Sequence, residues 1–284
     1  MSHTSGRVDR PFGRILTATD GSERATESVR QGATLAAAFG AELILVHVID
    51  GGRSHDAGAE TAAEGTLEAA SAVARALDVE PDGRILAGDP GAVLIELAEV
   101  DDVDLMCVGP DAGLLAGAVR IGRIASHVIR EAPCSILVAR SAGPDFPLRI
   151  GCAVDGSEGS VETARTAAAL AAATGAELRL VHVVPVFRGH NTEWTLGPED
   201  ASPPELEPSV AAASSLGVTP IRQMAMGRPE RTLVAAAERE SIDLMVVGHR
   251  GIHGVRRMLG SVSERVAHHA PCSVMVVRNA AASG

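Results

Sequence analysis

The residues best suited to hold a ligand lie in one stretch, Gly248-His249-Arg250-Gly251, continuing to Gly260-Ser261-Val262-Ser263. Glycine takes backbone angles closed to other residues, and without a side chain it lets backbone N–H groups approach an anion closely. Ser261 and Ser263 open a predicted helix over 261–269. The first turn of such a helix offers unpaired N–H donors and a partial positive charge, here joined by hydroxyls. Arg250, Arg256 and Arg257 add cations to a chain whose formal net charge is −11. These residue types in this order suit a phosphate group. An earlier stretch, Gly109-Pro110-Asp111-Ala112 with Gly122-Arg123, has a similar frame and poorer chemistry. Ala112 stands where the later stretch has its second glycine, Pro110 has no N–H, and Asp111 puts a carboxylate where phosphate would sit. Arg123 is expected to pair with Asp111 and leave an emptied, structural site.

Other polar residues have plainer readings. Asp20 and Asp155 each precede Gly-Ser and a predicted helix, so either could serve as an N-cap worth ~1 kcal/mol. That reading is preferred for Asp20; for Asp155 ligand contact is preferred, because the rest of a site accompanies it. His47 and His182 sit in apolar runs and read as packed strand residues, while His268-His269 end a helix and suit its negative pole. Asp101-Asp102 and Asp104 read as a solvated loop. Cys107, Cys134, Cys152 and Cys272 form no C-x-x-C pair and no zinc pattern; they read as buried, inert thiols of a reducing compartment. No serine comes with a recognisable base, so no catalytic triad is expected.

Composition narrows the partners. A net charge of −11 and 2% aromatic residues argue against general binding to nucleic acid or anionic membrane, and against base-stacking platforms. No uninterrupted apolar run reaches the ~18 residues of a membrane span, and the polar start of the chain has no apolar signal core. A cytoplasmic location is the expectation.

The elements that must position these residues are written twice. Ile15 to Ser22 matches Ile150 to Ser157, Ala41 to Val48 matches Ala176 to Val183, Val103 to Gly109 matches Ile242 to Gly248, and Ala132 to Ser135 matches Ala270 to Ser273. Four blocks in one order at nearly one offset mean two copies of one domain. The expected boundaries are a tail over 1–12, a first domain over 13–141, a linker over 142–147 and a second domain over 148–279. Each copy alternates short apolar runs with amphipathic or alanine-rich stretches, the pattern of a parallel sheet with helices on both faces. Asp89-Pro90 marks a helix start. The proline-bearing stretch Phe187–Pro208 reads as a surface excursion or lid. In such sheets ligands bind beyond the carboxyl ends of the strands, where the winding reverses. Asp155, Val183 and the Gly248–Ser263 stretch should meet there.

At this point the chain resembles the universal stress protein family, in tandem. The resemblance rests on G-x-x-G-x9-G-[ST], met by Gly248, Gly251, Gly260 and Ser261 with the spacer Ile252–Leu259 one residue short. It also rests on Asp-Gly-Ser after the first strand, Leu-Val-His-Val in the second, and Ala-Pro-Cys-Ser before the last. The resemblance implies two doubly wound five-stranded parallel-sheet domains of the adenine nucleotide alpha hydrolase-like type, related by a pseudo-twofold. It implies ATP, with or without Mg2+, as the ligand. Ala153, Val154, Asp155 and Val183 would face base and ribose, and Gly227 in Met226-Gly227-Arg228-Pro229 would flank the ribose. Gly248, Arg250, Gly251, Gly260, Ser261, Val262 and Ser263 would hold the phosphates. The weaker counterparts in the first domain are Asp20, Val48, Gly88, Gly109 and Gly122. The resemblance also implies pairing of the last strands, Ser135–Ala139 and Ser273–Val277, between the two domains, with further association into a homodimer open.

The function so expected is a nucleotide-dependent stress sensor or regulator, acting mainly through the second domain on a protein partner that the sequence does not name. Two rivals stand beside it: a slow ATPase or phosphotransferase using the same pocket, and an interaction scaffold with vestigial pockets.

Overall fold

The computed structural model describes residues 10–51, 57–110, 114–115, 118–119, 121–185, 203–249 and 260–278. The chain divides into two compact units, residues 1–141 and 142–284.

In the first unit the order is β1 (Arg14–Ala18), α1 (Glu23–Phe39), β2 (Glu42–Asp50), α2 (Ala57–Arg75), β3 (Asp82–Gly88), α3 (Pro90–Val100) and β4 (Leu105–Val108). There follow a two-residue pair, β5 (Leu114–Leu115) with β6 (Ala118–Val119), then α4 (Arg123–Glu131) and β7 (Ser135–Val138). The main sheet of this unit runs β7-β4-β1-β2-β3, and every pairing in it is parallel. The second unit repeats the scheme with β8 (Arg149–Val154), α5 (Glu158–Thr174), β9 (Glu177–Pro185), a 3-10 turn over Pro204–Leu206, α6 (Glu207–Ser214), β10 (Ile221–Gly227), α7 (Pro229–Arg239), β11 (Leu244–Gly248), α8 (Ser261–His269) and β12 (Ser273–Val277). Its strands run β10-β9-β8-β11-β12, again all parallel. In each unit the first strand lies between the second and the fourth, so the winding reverses beside it.

Local chemistry explains the elements. Strands β4, β7 and β12 are buried at every residue, as strands covered on both faces must be. Ser22 and Ser157 cap α1 and α5, accepting from Ala25 N and Ser160 N, and Gly40 and Gly175 end those helices in the left-handed region. Asp89 caps α3, accepting from Ala92 N at 3.1 Å, with Pro90 in the first turn. Small residues let helix and sheet close. A Cβ on Gly32 of α1 would lie 2.5 Å from Thr17 Oγ1 of β1.

Two expectations need correction. Asp104 is no mere solvated loop residue: its Oδ2 accepts from Gly13 N at 2.7 Å and Arg14 N at 3.0 Å. Asp243 does the same work in the second unit, accepting from Leu148 N at 2.8 Å and Arg149 N at 3.2 Å. Each carboxylate thus pins the entry of the first strand against the fourth, and Asp101 pairs with Arg84. The Phe187–Pro208 excursion ends earlier than read, because Pro204–Leu206 is a 3-10 turn and α6 starts at Glu207. Prolines are tolerated in a first helical turn, where the missing N–H has no helical partner anyway. The remainder of that excursion, 186–202, lies outside the described residues. Among the described residues no helix is long and apolar enough to cross a membrane.

Candidate functional site

At the carboxyl ends of the strands of the second unit, β8 and β11 flank the point where the winding reverses. Ala153 and Val154 end β8. Asp155 follows and is half-buried. Its Oδ1 accepts from Ser157 N at 3.1 Å and Ser157 Oγ at 2.6 Å. The carboxylate therefore does not cap α5: Ser157 is the N-cap, and Asp155 closes the turn before it, around Gly156 at φ 81°. The same correction applies to Asp20, which is exposed, accepts from Ser22 N at 2.9 Å and leaves the capping to Ser22. Val183 is buried beside Ala225 of β10. His182 Nδ1 lies 3.0 Å from Val154 O, and His47 Nδ1 lies 3.0 Å from Thr19 O. A carbonyl only accepts, so each ring donates from Nδ1 and ties the first two strands of its unit together.

On the far side of the crevice, Gly248 ends β11 and Gly260 is the N-cap of α8, with no side-chain cap hydrogen bond. Two bonds close the neck between them. Gly260 N donates to His249 O at 2.9 Å, and Ser263 Oγ donates to Gly248 O at 2.5 Å. His249 itself is buried, and its N–H donates to Val277 O of β12 at 2.8 Å. Gly248 and the start of α8 are thereby held together. The Ser263 proton is spent on Gly248 O, so Ser263 latches the neck, and among the two serines only Ser261 keeps a hydroxyl proton for a ligand. Val262 sits between them in the first turn. Arg250 and Gly251 lie outside the described residues.

Gly227 ends β10 at φ 143°, and a Cβ there would lie 2.8 Å from Thr232 Oγ1. Its counterpart Gly88 ends β3 at φ 149°, with Val93 Cγ2 at 2.9 Å from the same built position. Both positions demand glycine for the backbone alone. Met226, beside Gly227, is 45% exposed, an apolar side chain left open near the crevice that sequence patterning gives no reason to select.

The first unit keeps the frame and lacks the latch. Gly109 follows β4, where a Cβ would meet Arg24 O of α1 at 3.1 Å, and Gly122 caps α4 without a side-chain bond. Pro110 stands at the place of His249 and Ala125 at the place of Ser263. Ala125 is buried and has no hydroxyl to donate. Val48 is half-buried near the end of β2. Asp111, and with it the expected pairing to Arg123, lies outside the described residues; Arg123 Nη2 also lies 3.9 Å from Asp89 Oδ2, the cap of α3.

Burial pushes the Cys107 thiol up to about 12, and it pushes Cys152 up as well. All four cysteines are buried. Buried neutral thiols are poor nucleophiles.

The universal stress protein family model matches residues 11–140 and again 148–278. The chain belongs to the universal stress protein family. A universal stress protein of Methanocaldococcus jannaschii is 35% identical over 144 residues, covering 48% of this chain and 85% of that protein. A solved universal stress protein from Archaeoglobus fulgidus is 19% identical, covers 96% of this chain and 98% of its own, and has a TM-score of 0.71; it shares the fold. A universal stress protein of Archaeoglobus fulgidus in complex with dAMP is 25% identical over 44% of this chain and 94% of its own, at a TM-score of 0.38. This universal stress protein thus carries two family domains, one with a latched glycine neck and one without.

Proposed function

We propose that this universal stress protein binds ATP or a related adenine nucleotide in its second domain and acts as a nucleotide-dependent regulator of a protein partner. The observation that carries the reading is the doubly bonded neck of Gly248, His249, Gly260 and Ser263. It fixes the first turn of α8 with its N-cap side chain absent, so N–H groups there face outward for an anion. Across the reversal point Asp155 offers a carboxylate to a ribose hydroxyl, and Val183 and Val154 offer aliphatic surface to a base. Gly227 flanks the ribose, and Arg250 and Gly251 belong to the phosphate side. Residues of this kind fit a nucleotide by backbone donors and a single carboxylate. Among the described residues no group of three His, Cys, Asp or Glu side chains is placed to hold a metal ion. A magnesium ion would therefore arrive with the phosphates and be held chiefly by them.

In the first domain Asp20, Val48, Gly88, Gly109 and Gly122 are proposed to be architectural. Gly88 and Gly109 answer backbone and packing needs, and no serine latches the neck. The regulatory output would come from nucleotide occupancy rather than turnover, presented by the chain or by a homodimer of it. Thermal unfolding with ATP tests the reading. Ligand at ~100 times its Kd adds ~2.7 kcal/mol to the domain that binds it. A rise in melting temperature with ATP, and none with equal inorganic phosphate, is the expected result. An unmoved transition at millimolar ATP would end the proposal. Phosphate released steadily with Mg2+ would move the protein to the ATPase class.

A further inference from the structure

We infer that Arg228 is a specificity residue of the second domain, reading the charged phosphate end of its ligand; the inference rests on the nucleotide reading above. Arg228 is a residue wrong for its place. Arg228 is the N-cap of α7 and makes no side-chain cap bond. A guanidinium has no acceptor to offer the first-turn N–H groups, and its charge lies against the positive pole of the helix. The repeat counterpart, Asp89, does what an N-cap should: Oδ1 accepts from Ala92 N. Local rules broken without local gain mark functional positions.

The first domain also measures the reach of this position. Asp89 Oδ2 lies 3.9 Å from Nη2 of Arg123, the first residue of α4. A side chain at the α3 cap therefore meets a side chain at the start of the next helix, across the crevice mouth. The counterpart of Arg123 is Ser261, the first residue of α8. Arg228, longer than aspartate, has the length to span the same gap from the α7 cap, since α7 packs against α8 as α3 packs against α4. The nearby carboxylate Glu230 is engaged by Arg265 at 2.8 Å. Arg228 is exposed, and its guanidinium has no ion pair or hydrogen bond among the described residues. The first domain fills the crevice mouth with its own acid–base pair, whereas at the same place in the second the described residues present the Arg228 guanidinium without an acid partner. An anion is the chemistry that completes it, through charge-assisted hydrogen bonds.

The test uses the full chain, with ATP and adenosine titrated into the native protein, Arg228→Gln, Arg228→Asp and Arg149→Gln, alongside ligand-free melting. Arg149 removes an equal charge from an exposed position at the amino end of β8. Arg228→Gln is expected to weaken ATP at least tenfold and adenosine less than twofold, while Arg149→Gln changes neither. Arg228→Asp is expected to bind ATP more weakly still and yet melt a few degrees higher, since it restores a cap. An ATP affinity for Arg228→Gln within threefold of native, or equal losses for ATP and adenosine, overturns the role of Arg228. A native protein that binds neither ligand overturns the nucleotide reading and this inference together.

Discussion

The loops after β4 and β11 come from one ancestral pattern and now differ at the neck. After β11, Gly260 N and Ser263 Oγ close onto His249 O and Gly248 O. After β4 the same places hold Pro110 and Ala125, and the crevice mouth is crossed by Asp89 and Arg123 instead. The two units agree in sheet order, in Ser22 and Ser157 as caps and in His47 and His182 as ties. A domain can keep its whole scaffold while losing the few groups that orient backbone donors. On the proposed reading, binding should follow the latch more closely than it follows the fold.

The largest expected effect comes from placing a carboxylate at the neck. Gly260 has φ −62° and Gly122 has φ −79°, so aspartate suits either backbone and caps either helix. Gly260→Asp should remove ATP binding by more than a hundredfold without lowering the melting temperature. Gly122→Asp should leave ATP binding as it is. Equal losses in both variants, read by calorimetry, would erase the distinction between the domains.

A second contrast concerns stability, where the units should behave alike. Asp104→Ala and Asp243→Ala each remove the acceptor of two exposed backbone donors, and each should cost about 1 kcal/mol in denaturant unfolding. Burial raises the pKa of Asp243 despite its backbone donors. A raised carboxyl means that its charge is disfavoured in the folded state. That penalty holds above the raised value and is relieved as pH falls through it, so stability relative to Asp243→Asn should rise on acidification. A difference that shrinks on acidification contradicts this.

Of similar size is the effect of the latch itself. Ser263→Ala should cost about 1 kcal/mol and weaken ATP severalfold, while Ala125→Ser should gain no nucleotide site. The least effect is expected from thiol reagents. With Cys107 near 12 and every cysteine buried, the folded chain should resist a disulfide reagent at pH 8 until it is unfolded.

Much of the fold is legible in the sequence because its signals are local. Asp89-Pro90 announces α3, Gly40 and Gly175 end their helices, and apolar runs give the strands. α6 is hidden because Pro204 and Pro208 read as breakers, although both stand where a helix start tolerates proline. The clamps of Asp104 and Asp243 join residues some ninety positions apart, and nothing in a loop of acids reveals such a partner. The Ser263 latch is invisible for the same reason: a serine in a first turn suits phosphate or a carbonyl equally well, and packing decides between them. The pairing of Arg123 with Asp89 depends on α3 and α4 lying side by side, which their sequence separation does not disclose.

Calorimetric stoichiometry of ATP on the full chain addresses the two domains at once. One nucleotide bound per chain, abolished by Gly260→Asp and retained in Gly122→Asp, is the predicted result. Two nucleotides per chain, or one that survives Gly260→Asp, would contradict it.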